Sequence, residues 1–395
     1  MNELETVHAD QKILDEIRHD MIDTDLLYIL FTSGSTGIPK GAAVSHRALI
    51  KYINMFISTL HINEETVFGC GTPLYFSMSV SDVFGTICTG ATFHIIPQTC
   101  FSFPVKLIGY MNQKKVNTVY WVPSALCLMA NWKALDVMPF EALKRVIFAG
   151  EVMPVKQLNY WISRMPKDTE FINIYGPTET VDTCTYYKVN RKFNDTDSLP
   201  IGIPYDNCGV LIITDDGREA QSGEEGELCV RGETLAAGYY NDFEKTAAVF
   251  TQNPLNTSYP ETIYRTGDIV RRNEFGEINY LSRKDFQIKH LGYRIELGEI
   301  EAVMSAMNGM ISCAAVYDQE NSEIVLFCNT SDAGEPEIAE WASKKLLSYM
   351  IPGRIEILKE MPINQNGKID RAKLCSKLEP PRPLRGRPSN GGEFT

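Results

Sequence analysis

The sequence predicts an α/β protein with a large N-terminal core, built on a parallel sheet with a small antiparallel part, and a small α+β C-terminal unit. Apolar runs alternate with helix-like segments in the first half of the 395-residue chain, which is typical of parallel sheets. After Pro200 the runs shorten and are bounded by glycines, as in antiparallel sheets. A hydrophobic content of 44% is enough for more than one core.

Four apolar runs predict buried strands that each end at a turn. They cover residues 91–97, 116–123, 145–150 and 170–175, with helical patterns between them. Ligands of parallel sheets bind beyond the carboxyl ends of the strands. We therefore expect a ligand near Gly150 and Glu151, near Tyr175 and Gly176, and near the polar loop that follows the apolar run 26–31.

The later part of the chain is expected to form a small antiparallel sheet and a separate C-terminal unit. Short antiparallel strands are predicted at 209–217, at 226–232 and within 267–281. A last unit runs from about 284 to 374.

The polar loop after the first apolar run has the composition of a phosphate-binding loop. Glycines let the backbone approach an anion closely, consecutive N–H groups form an anion-binding concavity, and hydroxyls and a lysine add donors and charge. The residues concerned are Thr32, Ser33, Gly34, Ser35, Thr36, Gly37 and Lys40. Their spacing fits neither Gly-x-x-x-x-Gly-Lys-[Ser/Thr] nor Gly-x-Gly-x-x-Gly, so composition alone leaves a polar surface turn open.

The composition limits the classes of binding partner and the cellular compartment that we expect. The net charge of −12 argues against a nucleic-acid partner, because phosphate contacts need a basic face. No apolar stretch approaches the roughly 20 residues of a membrane helix, and the N-terminus has no signal-peptide pattern, so we expect a cytoplasmic protein without a membrane partner. The ten cysteines are scattered without Cys-x-x-Cys spacing, so disulfides or zinc ligands are not expected. Several lie in apolar runs, where a free cysteine is expected to be buried; examples are Cys88, Cys127, Cys229 and Cys328.

Five further segments, together with the polar loop, resemble in order the core motifs of the acyl-adenylate-forming enzymes. They cover residues 173–180, 264–268, 283–289, 292–301 and 366–371. Within that superfamily the chain is similar, over residues 26–374, to amino-acid adenylation domains of nonribosomal peptide synthetases and to D-alanine:carrier-protein ligases. The resemblance implies ATP-dependent adenylation of an amino acid or similar small carboxylic acid, with ATP and Mg²⁺ as cofactors. Transfer to the phosphopantetheine thiol of a carrier protein would follow.

The resemblance also implies a domain organisation. An adenylation core would cover residues 1–283 and a lid domain residues 284–378, with a hinge at Asp285. Residues 379–395 are expected to be disordered or added sequence. In the family an α/β subdomain precedes the phosphate loop, whereas only 25 residues precede its strand here. We therefore expect a fragment, a truncated gene product or a split protein.

The resemblance assigns roles in nucleotide binding. The polar loop would hold the β- and γ-phosphates, Glu179 would be an oxygen ligand of Mg²⁺, and Asp268 would accept hydrogen bonds from the ribose hydroxyls. Tyr175 offers a flat face to adenine. The other residues expected around the nucleotide are Gly150, Glu151, Asn173, Ile174, Gly176, Pro177, Thr178 and Arg283.

Two lysines would serve the two half-reactions. By resemblance, Lys368 reaches the α-phosphate and the substrate carboxylate during adenylation. Lys289 belongs to the face presented for thioester formation. Two such lysines on one small domain imply two alternating poses.

The predicted substrate pocket departs from that of relatives that activate α-amino acids, in which the position of Ser77 holds an aspartate that pairs with the substrate ammonium. Ser77 carries no charge, whereas Asp182 is expected at the pocket wall, where it could hold an amine further from the carboxylate. We therefore expect a small acid without an α-amine, or with a more distant amine. The alternative is that Asp182 caps a helix and contacts no ligand. The other predicted pocket residues are Phe76, Met78, Ser81, Trp121, Ile147 and Ile174.

Two other functions stay open at this point. An acyl-CoA ligase of the same superfamily would share the first step and use another acceptor, although the motif forms at 296–301 and 366–371 favour carrier-protein loading. A fragment that binds ATP without catalysis is the other possibility. No Gly-Gly-x-Ser attachment sequence follows Leu374, so the carrier is expected to act in trans or to have been removed.

Overall fold

The computed structural model describes residues 10–32, 40–284, 287–290, 293–318, 321, 323–365 and 367–378. Residues 33–37 of the predicted phosphate loop, the predicted hinge Asp285 and the predicted tail lie outside the described residues. The helices are α1 (Gln11–Asp20), α2 (His46–Leu60), α3 (Met78–Thr89), α4 (Gln98–Phe101), α5 (Pro104–Gln113), α6 (Pro123–Asn131), α7 (Ala134–Val137), α8 (Val155–Arg164), α9 (Phe243–Val249), α10 (Leu297–Ser305), α11 (Glu335–Lys345) and α12 (Arg371–Cys375), with short 3-10 helices at Thr178–Thr180 and Ser348–Met350. The strands are β1 (Leu26–Thr32), β2 (Lys40–Ser45), β3 (Val67–Cys70), β4 (Thr92–Ile95), β5 (Thr118–Trp121), β6 (Arg145–Phe148), β7 (Glu170–Tyr175), β8 (Thr185–Lys188), β9 (Ile203–Pro204), β10 (Gly209–Ile213), β11 (Glu225–Arg231), β12 (Gly238–Tyr239), β13 (Phe250–Gln252), β14 (Thr262–Arg272), β15 (Ile278–Arg283), β16 (Gln287–His290), β17 (Tyr293–Glu296), β18 (Met310–Asp318), β19 (Glu323–Thr330) and β20 (Arg354–Ile357).

The chain divides into two compact units. The first comprises Met1–Met153, Gln157–Lys192 and Leu199–Tyr280, and the second comprises Pro154–Lys156, Phe193–Ser198 and Leu281–Thr395. The main segment of the second unit thus begins at Leu281, close to the predicted boundary between residues 283 and 284.

A seven-stranded sheet forms the centre of the first unit, in the order β4-β3-β5-β6-β7-β8-β9. The first five strands in that order run parallel, and β8 and β9 are added antiparallel at one edge. The four predicted strands are present as β4, β5, β6 and β7. The predicted burial was wrong for β4, which lies at the edge of the sheet and has no buried residue. All four residues of β5 are buried, as expected for a strand covered on both faces. The α/β fold class is therefore confirmed.

Helix α2 packs on this sheet through one apolar stripe. The helix begins after Ser45, whose hydroxyl accepts a hydrogen bond from a first-turn N–H group. Tyr52, Phe56 and Leu60 are spaced four residues apart and are fully buried in the same apolar cluster as Tyr120 of β5. The stripe brings the Tyr52 hydroxyl into the interior of the unit.

The phosphate loop does not follow a strand of the parallel sheet, and that part of the prediction was wrong. β1 and β2 pair antiparallel, with Thr32 opposite Lys40, and β12 pairs with the other edge of β2. The loop therefore joins two neighbouring strands of a separate three-stranded sheet. An apolar run alone could not distinguish the two cases, because both kinds of strand can be apolar.

The region after Pro200 forms a five-stranded antiparallel sheet, in the order β10-β11-β14-β13 with β15 paired to β14. The strands predicted at 209–217 and 226–232 are present as β10 and β11. Gly217 and Gly276 take positive φ values of 84° and 77° in the turns, a conformation that glycine adopts without strain.

The second unit has a three-stranded sheet, β18-β19-β20, with a core on each face. Helices α10 and α11 pack on one face, where Cys313 and Ala315 point, and Leu374 of α12 packs on the other, with Ala314 and Val316. The alternation along β18 follows the two-residue period of a strand. None of the helices in the described part of the chain is long and apolar enough to span a membrane.

Candidate active site

Tyr175 and Asp268 form the part of the site predicted to bind the nucleoside. Tyr175 ends β7, and its hydroxyl donates a hydrogen bond to Oδ2 of Asp268 in β14. Burial, with a smaller contribution from the Asp268 carboxylate, raises the pKa of Tyr175 well above its usual value, so the phenol remains a donor. One hydrogen bond thus joins the predicted adenine-facing ring to the predicted ribose acceptor.

A bulge in β14 directs Asp268 out of its strand. The pairing with β11 shifts between Glu227 and Cys229, opposite the Thr266–Asp268 segment. The Thr266 hydroxyl accepts the N–H of Asp268 at 3.0 Å and donates to the carbonyl of Leu228 at 2.7 Å. These bonds fix the bend from which the carboxylate projects.

The other predicted nucleotide residues of β6 and β7 have structural contacts as well. The Asn173 side-chain amide donates to the carbonyl of Pro200 at 2.8 Å. Oε2 of Glu151 accepts the N–H of Ser124 at 2.9 Å, in the first turn of α6. Ile174 is buried in the core of the first unit.

Glu179, the predicted metal ligand, is linked to Lys40 through a tyrosine. Its carboxylate is 6% exposed, and Oε1 accepts a hydrogen bond of 2.6 Å from the Tyr239 hydroxyl. Lys40 Nζ donates to the same hydroxyl oxygen at 3.3 Å and lies 4.8 Å from the centroid of the ring. Tyr239 therefore connects the lysine of the phosphate loop to the carboxylate.

A strained turn separates Glu179 from Asp182 and buries both. Val181 has φ 73° and ψ −63°, the rare γ-turn conformation that a β-branched residue adopts only under constraint. A Cβ on Gly176 would lie 2.4 Å from Cα of Thr183 and 2.7 Å from the carbonyl oxygen of Asp182. Only glycine fits there, so Gly176 permits the close fold of this segment.

Asp182 is the acceptor of a buried cluster of hydroxyls. Its Oδ2 accepts hydrogen bonds from Ser81 at 2.7 Å, from Tyr52 at 3.0 Å and from Tyr120 at 3.0 Å. Burial raises the pKa of Asp182 above its usual value, and these hydroxyls oppose that rise. No lysine, arginine or histidine of the described residues forms an ion pair with this carboxyl, which is 3% exposed.

A second buried carboxyl, that of Asp82, lies on α3 next to Ser81 in the sequence. It is 1% exposed, and neither of its oxygens has a hydrogen-bond partner among the residues that the structure covers. Burial raises the pKa of Asp82 well above its usual value; the neighbouring Cys70 thiol opposes this rise, and the charge of Asp182 adds to it. The two buried carboxyls thus lie close enough for the charge of Asp182 to affect the pKa of Asp82.

The predicted pocket residues divide into two groups. Ser77 is a polar neighbour of Asp182 that opposes the rise in the pKa of that carboxyl. Phe76, Met78, Ile147 and Ile174 pack in the apolar cluster that contains Tyr52 and Tyr120. Trp121 points elsewhere, because neighbouring residues of a strand face opposite sides, and its indole N–H donates to the carbonyl of Gly69 at 2.9 Å. Tyr120, rather than Trp121, contacts Asp182.

The two predicted catalytic lysines belong to the second unit. Lys368 lies in a small hairpin, where its N–H donates to Oδ1 of Asn364 at 3.1 Å and its carbonyl accepts the N–H of Asn364 at 2.7 Å. Lys289 lies in β16, directly opposite Arg294 of β17, and its side chain is outside the described structure. The role of Lys289 stays a prediction.

Sequence reasoning missed three tyrosines that carry these contacts. Tyr52 and Tyr120 are 130 and 62 residues from Asp182, and Tyr239 is 60 residues from Glu179. No local pattern connects such distant positions. In the sequence, Tyr52 and Tyr120 could be assigned only to apolar faces.

The profile of the family described as AMP-binding enzyme matches residues 2–240 of the chain. The chain belongs to this family and is an adenylate-forming acid–thiol ligase, as the order of its motifs predicted. It is 34% identical over 367 residues to an L-proline–[L-prolyl-carrier protein] ligase of Streptomyces coelicolor, an alignment that covers 91% of this chain and 67% of the relative. Gramicidin S synthase 1 of Brevibacillus brevis is 32% identical, with 89% of this chain and 31% of that protein aligned.

The solved structures are similar in fold. A four-domain nonribosomal peptide synthetase bound to AMP and glycine superposes with a TM-score of 0.78 at 25% identity, over 95% of this chain and 27% of that one. The chain thus spans about two thirds of the proline ligase and a smaller share of the multidomain relatives.

Proposed function

We propose that the protein adenylates a small carboxylic acid whose amine lies beyond the α-carbon, and transfers the acyl group to the phosphopantetheine thiol of a carrier protein. The observation that carries the substrate class is the buried Asp182 carboxyl, which has hydroxyl donors but no cationic partner among the described residues. An ionised carboxylate away from water is costly unless a cation pairs with it. A substrate ammonium would supply that cation.

The absence of charge at Ser77 supports the same substrate class. In α-amino-acid-activating relatives the ammonium pairs at that position, whereas here the nearest carboxyl of the cluster is that of Asp182. Asp82 places a second buried carboxyl near this cluster, without a hydrogen-bond partner among the described residues. The apolar side chains around the cluster would favour a short carbon chain.

For the nucleotide, we assign adenine to the face of Tyr175 and the ribose hydroxyls to Asp268. A carboxylate suits two hydroxyl donors because it only accepts hydrogen bonds. The position of Asp268 in a bulge of β14 and its hydrogen bond from Tyr175 support this assignment. Lys40 and the loop before it would bind the outer phosphates.

Glu179 is the residue that would hold Mg²⁺. A carboxylate is the hard oxygen ligand that this ion prefers, and no basic side chain in the described part of the chain forms an ion pair with Glu179. The described residues contain no group of three or more His, Cys, Asp or Glu that could hold a metal ion. Bound there, Mg²⁺ would neutralise charge on the departing pyrophosphate.

The first half-reaction would proceed by attack on the α-phosphorus of ATP. A carboxylate oxygen of the substrate forms the new P–O bond, the bond to the bridging oxygen of the β-phosphate breaks, and pyrophosphate leaves. Lys368 would place its ammonium beside the α-phosphate and the substrate carboxylate, where charge accumulates in the transition state. In the second half-reaction the carrier thiolate attacks the acyl carbon and AMP leaves.

ATP–pyrophosphate exchange over a matched panel of acids tests this proposal. The panel pairs α-amino acids with their β- and γ-amino isomers and includes the same acids without an amine. We expect the fastest exchange with a distal amine, and loss of exchange in Lys368→Ala with ATP binding largely retained, because the lysine acts mainly in the transition state. ATP binding without exchange for any acid would overturn the catalytic assignment. Preference for coenzyme A over a carrier thiol would favour an acyl-CoA ligase.

A further inference from the structure

A three-part hydrogen-bonded clamp lies at the base of the hairpin that carries Lys368. Arg371 Nη2 donates to Oε2 of Glu301 at 2.7 Å, and its Nη1 donates to the carbonyl of Ala315 at 2.8 Å. The N–H of Ala315 donates to the other oxygen of Glu301 at 2.6 Å. The clamp therefore ties the first residue of α12 to α10 and to β18.

The hairpin between the clamp and Lys368 is short and internally braced. The N–H of Asp370 donates to the carbonyl of Pro362 at 2.8 Å, and Ile363 pairs with Ile369 as an isolated bridge. The two hydrogen bonds between Lys368 and Asn364 brace the tip. A shift at Arg371, three residues from Lys368, would therefore move the hairpin as a body.

We propose that Arg371 is a positioning residue that sets the place of the Lys368 ammonium during adenylation. The inference rests on the proposed role of Lys368. Leu374 already anchors α12 in an apolar core, but apolar contact is non-directional, whereas a guanidinium that bonds two acceptors fixes both distance and orientation. The clamp therefore fixes the orientation of α12, which the apolar contact of Leu374 alone does not fix.

Pyrophosphate exchange by Arg371→Met and Arg371→Lys tests this role. We expect Arg371→Met to lower kcat by about 10- to 100-fold, the effect of a displacement on the order of 1 Å, with the KM for ATP within about twofold of wild type. Arg371→Lys should recover only part of the loss, because an ammonium cannot make both contacts with fixed geometry. Glu301→Gln, which keeps the shape of the clamp, is the second variant if Arg371→Met folds poorly.

Arg354→Met is the matched control. Arg354 lies in β20 of the same unit, and its ionic partners are Asp318, Glu323 and Glu356 rather than residues of the hairpin. We expect it to lower the melting temperature at least as much as Arg371→Met while leaving kcat near wild type. Equal losses of kcat in the two variants would overturn the proposal.

A double-mutant cycle with Lys368→Ala separates positioning from a general structural effect. If Arg371 acts through Lys368, adding Arg371→Met should leave the residual exchange rate of Lys368→Ala, measured at high enzyme concentration, unchanged. Multiplicative losses would contradict the inference. Exchange retained by Lys368→Ala alone would instead contradict the assigned role of Lys368, so the two failures are distinguishable.

Discussion

Replacing Asp182 by asparagine removes the charge of the buried carboxyl and keeps its size. Three hydroxyls converge on Oδ2, and no described basic side chain pairs with it, so the substrate ammonium would be its ionic partner. Removing one partner of a buried ion pair costs about 3–5 kcal/mol, which corresponds to roughly a 150- to 5,000-fold loss in kcat/KM. We expect that loss for the distal-amine substrate and little change for its amine-free analogue.

The assay is pyrophosphate exchange by wild type and Asp182→Asn with both acids, so that each variant has an internal reference. A matched pair of serines on α3 provides the control. Ser81 donates to Asp182, whereas Ser79 donates to the backbone carbonyls of Phe76 and Leu74. Ser81→Ala should lower the preference for the amine about tenfold, as expected for one hydrogen bond to a charged group, and Ser79→Ala should leave it unchanged.

Two results would refute this reasoning. One is an unchanged preference for the distal amine in Asp182→Asn. The other is fastest exchange by the wild type with a common L-α-amino acid. Either would mean that Asp182 is a structural acceptor for its hydroxyl neighbours, and that the pocket recognises the substrate elsewhere.

Three further predictions concern other residues. Tyr239→Phe removes the hydroxyl that joins Lys40 to Glu179 and should raise the KM for ATP about five- to tenfold, with a higher Mg²⁺ requirement; an unchanged Mg²⁺ titration would contradict the link. Lys289→Ala should impair thioester formation, measured with a carrier protein, more than pyrophosphate exchange, and equal damage would count against two poses. Burial raises the pKa of Asp82, so the fold favours the protonated carboxyl. This contribution to the stability of the wild type is fully present below the unfolded-state pKa of 3.8 and is lost as the pH rises through the folded-state pKa. The melting temperature of Asp82→Asn relative to wild type should therefore increase between about pH 5 and pH 8, and a pH-independent difference would refute this.

Much of the fold of the first unit could be predicted, because local sequence patterns determine where its strands form. Runs such as those of β5, β6 and β7 are mostly apolar, bounded by turns and separated by helical patterns, so their existence and parallel arrangement follow from the sequence. The order of the motifs likewise predicted the family. The pairing of β1 with β2 was not predictable in this way, since strand partners depend on tertiary contacts that a single run does not contain.

The residues of the candidate site likewise divide into those that local motifs identify and those that only tertiary contacts bring together. Asp268, Tyr175, Glu179 and Lys368 lie within recognisable motifs, and so could be named from the sequence. The hydroxyls of Tyr52 and Tyr120 could not, because each lies on an otherwise apolar face and meets Asp182 only after α2 and β5 pack together. The Arg371 clamp is also a tertiary feature, as its partners lie 70 and 56 residues away.

The central claim is that a substrate carboxylate attacks the α-phosphate of ATP. Oxygen-18 labelling tests it most directly: the protein is incubated with ATP, Mg²⁺, a carrier thiol and a distal-amine acid whose carboxylate carries ¹⁸O, and the products are analysed by mass spectrometry. We expect one ¹⁸O atom in AMP, because the oxygen that forms the P–O bond stays with phosphorus when the thiol displaces AMP. Formation of ADP with labelled inorganic phosphate, or of unlabelled AMP, would contradict the claim.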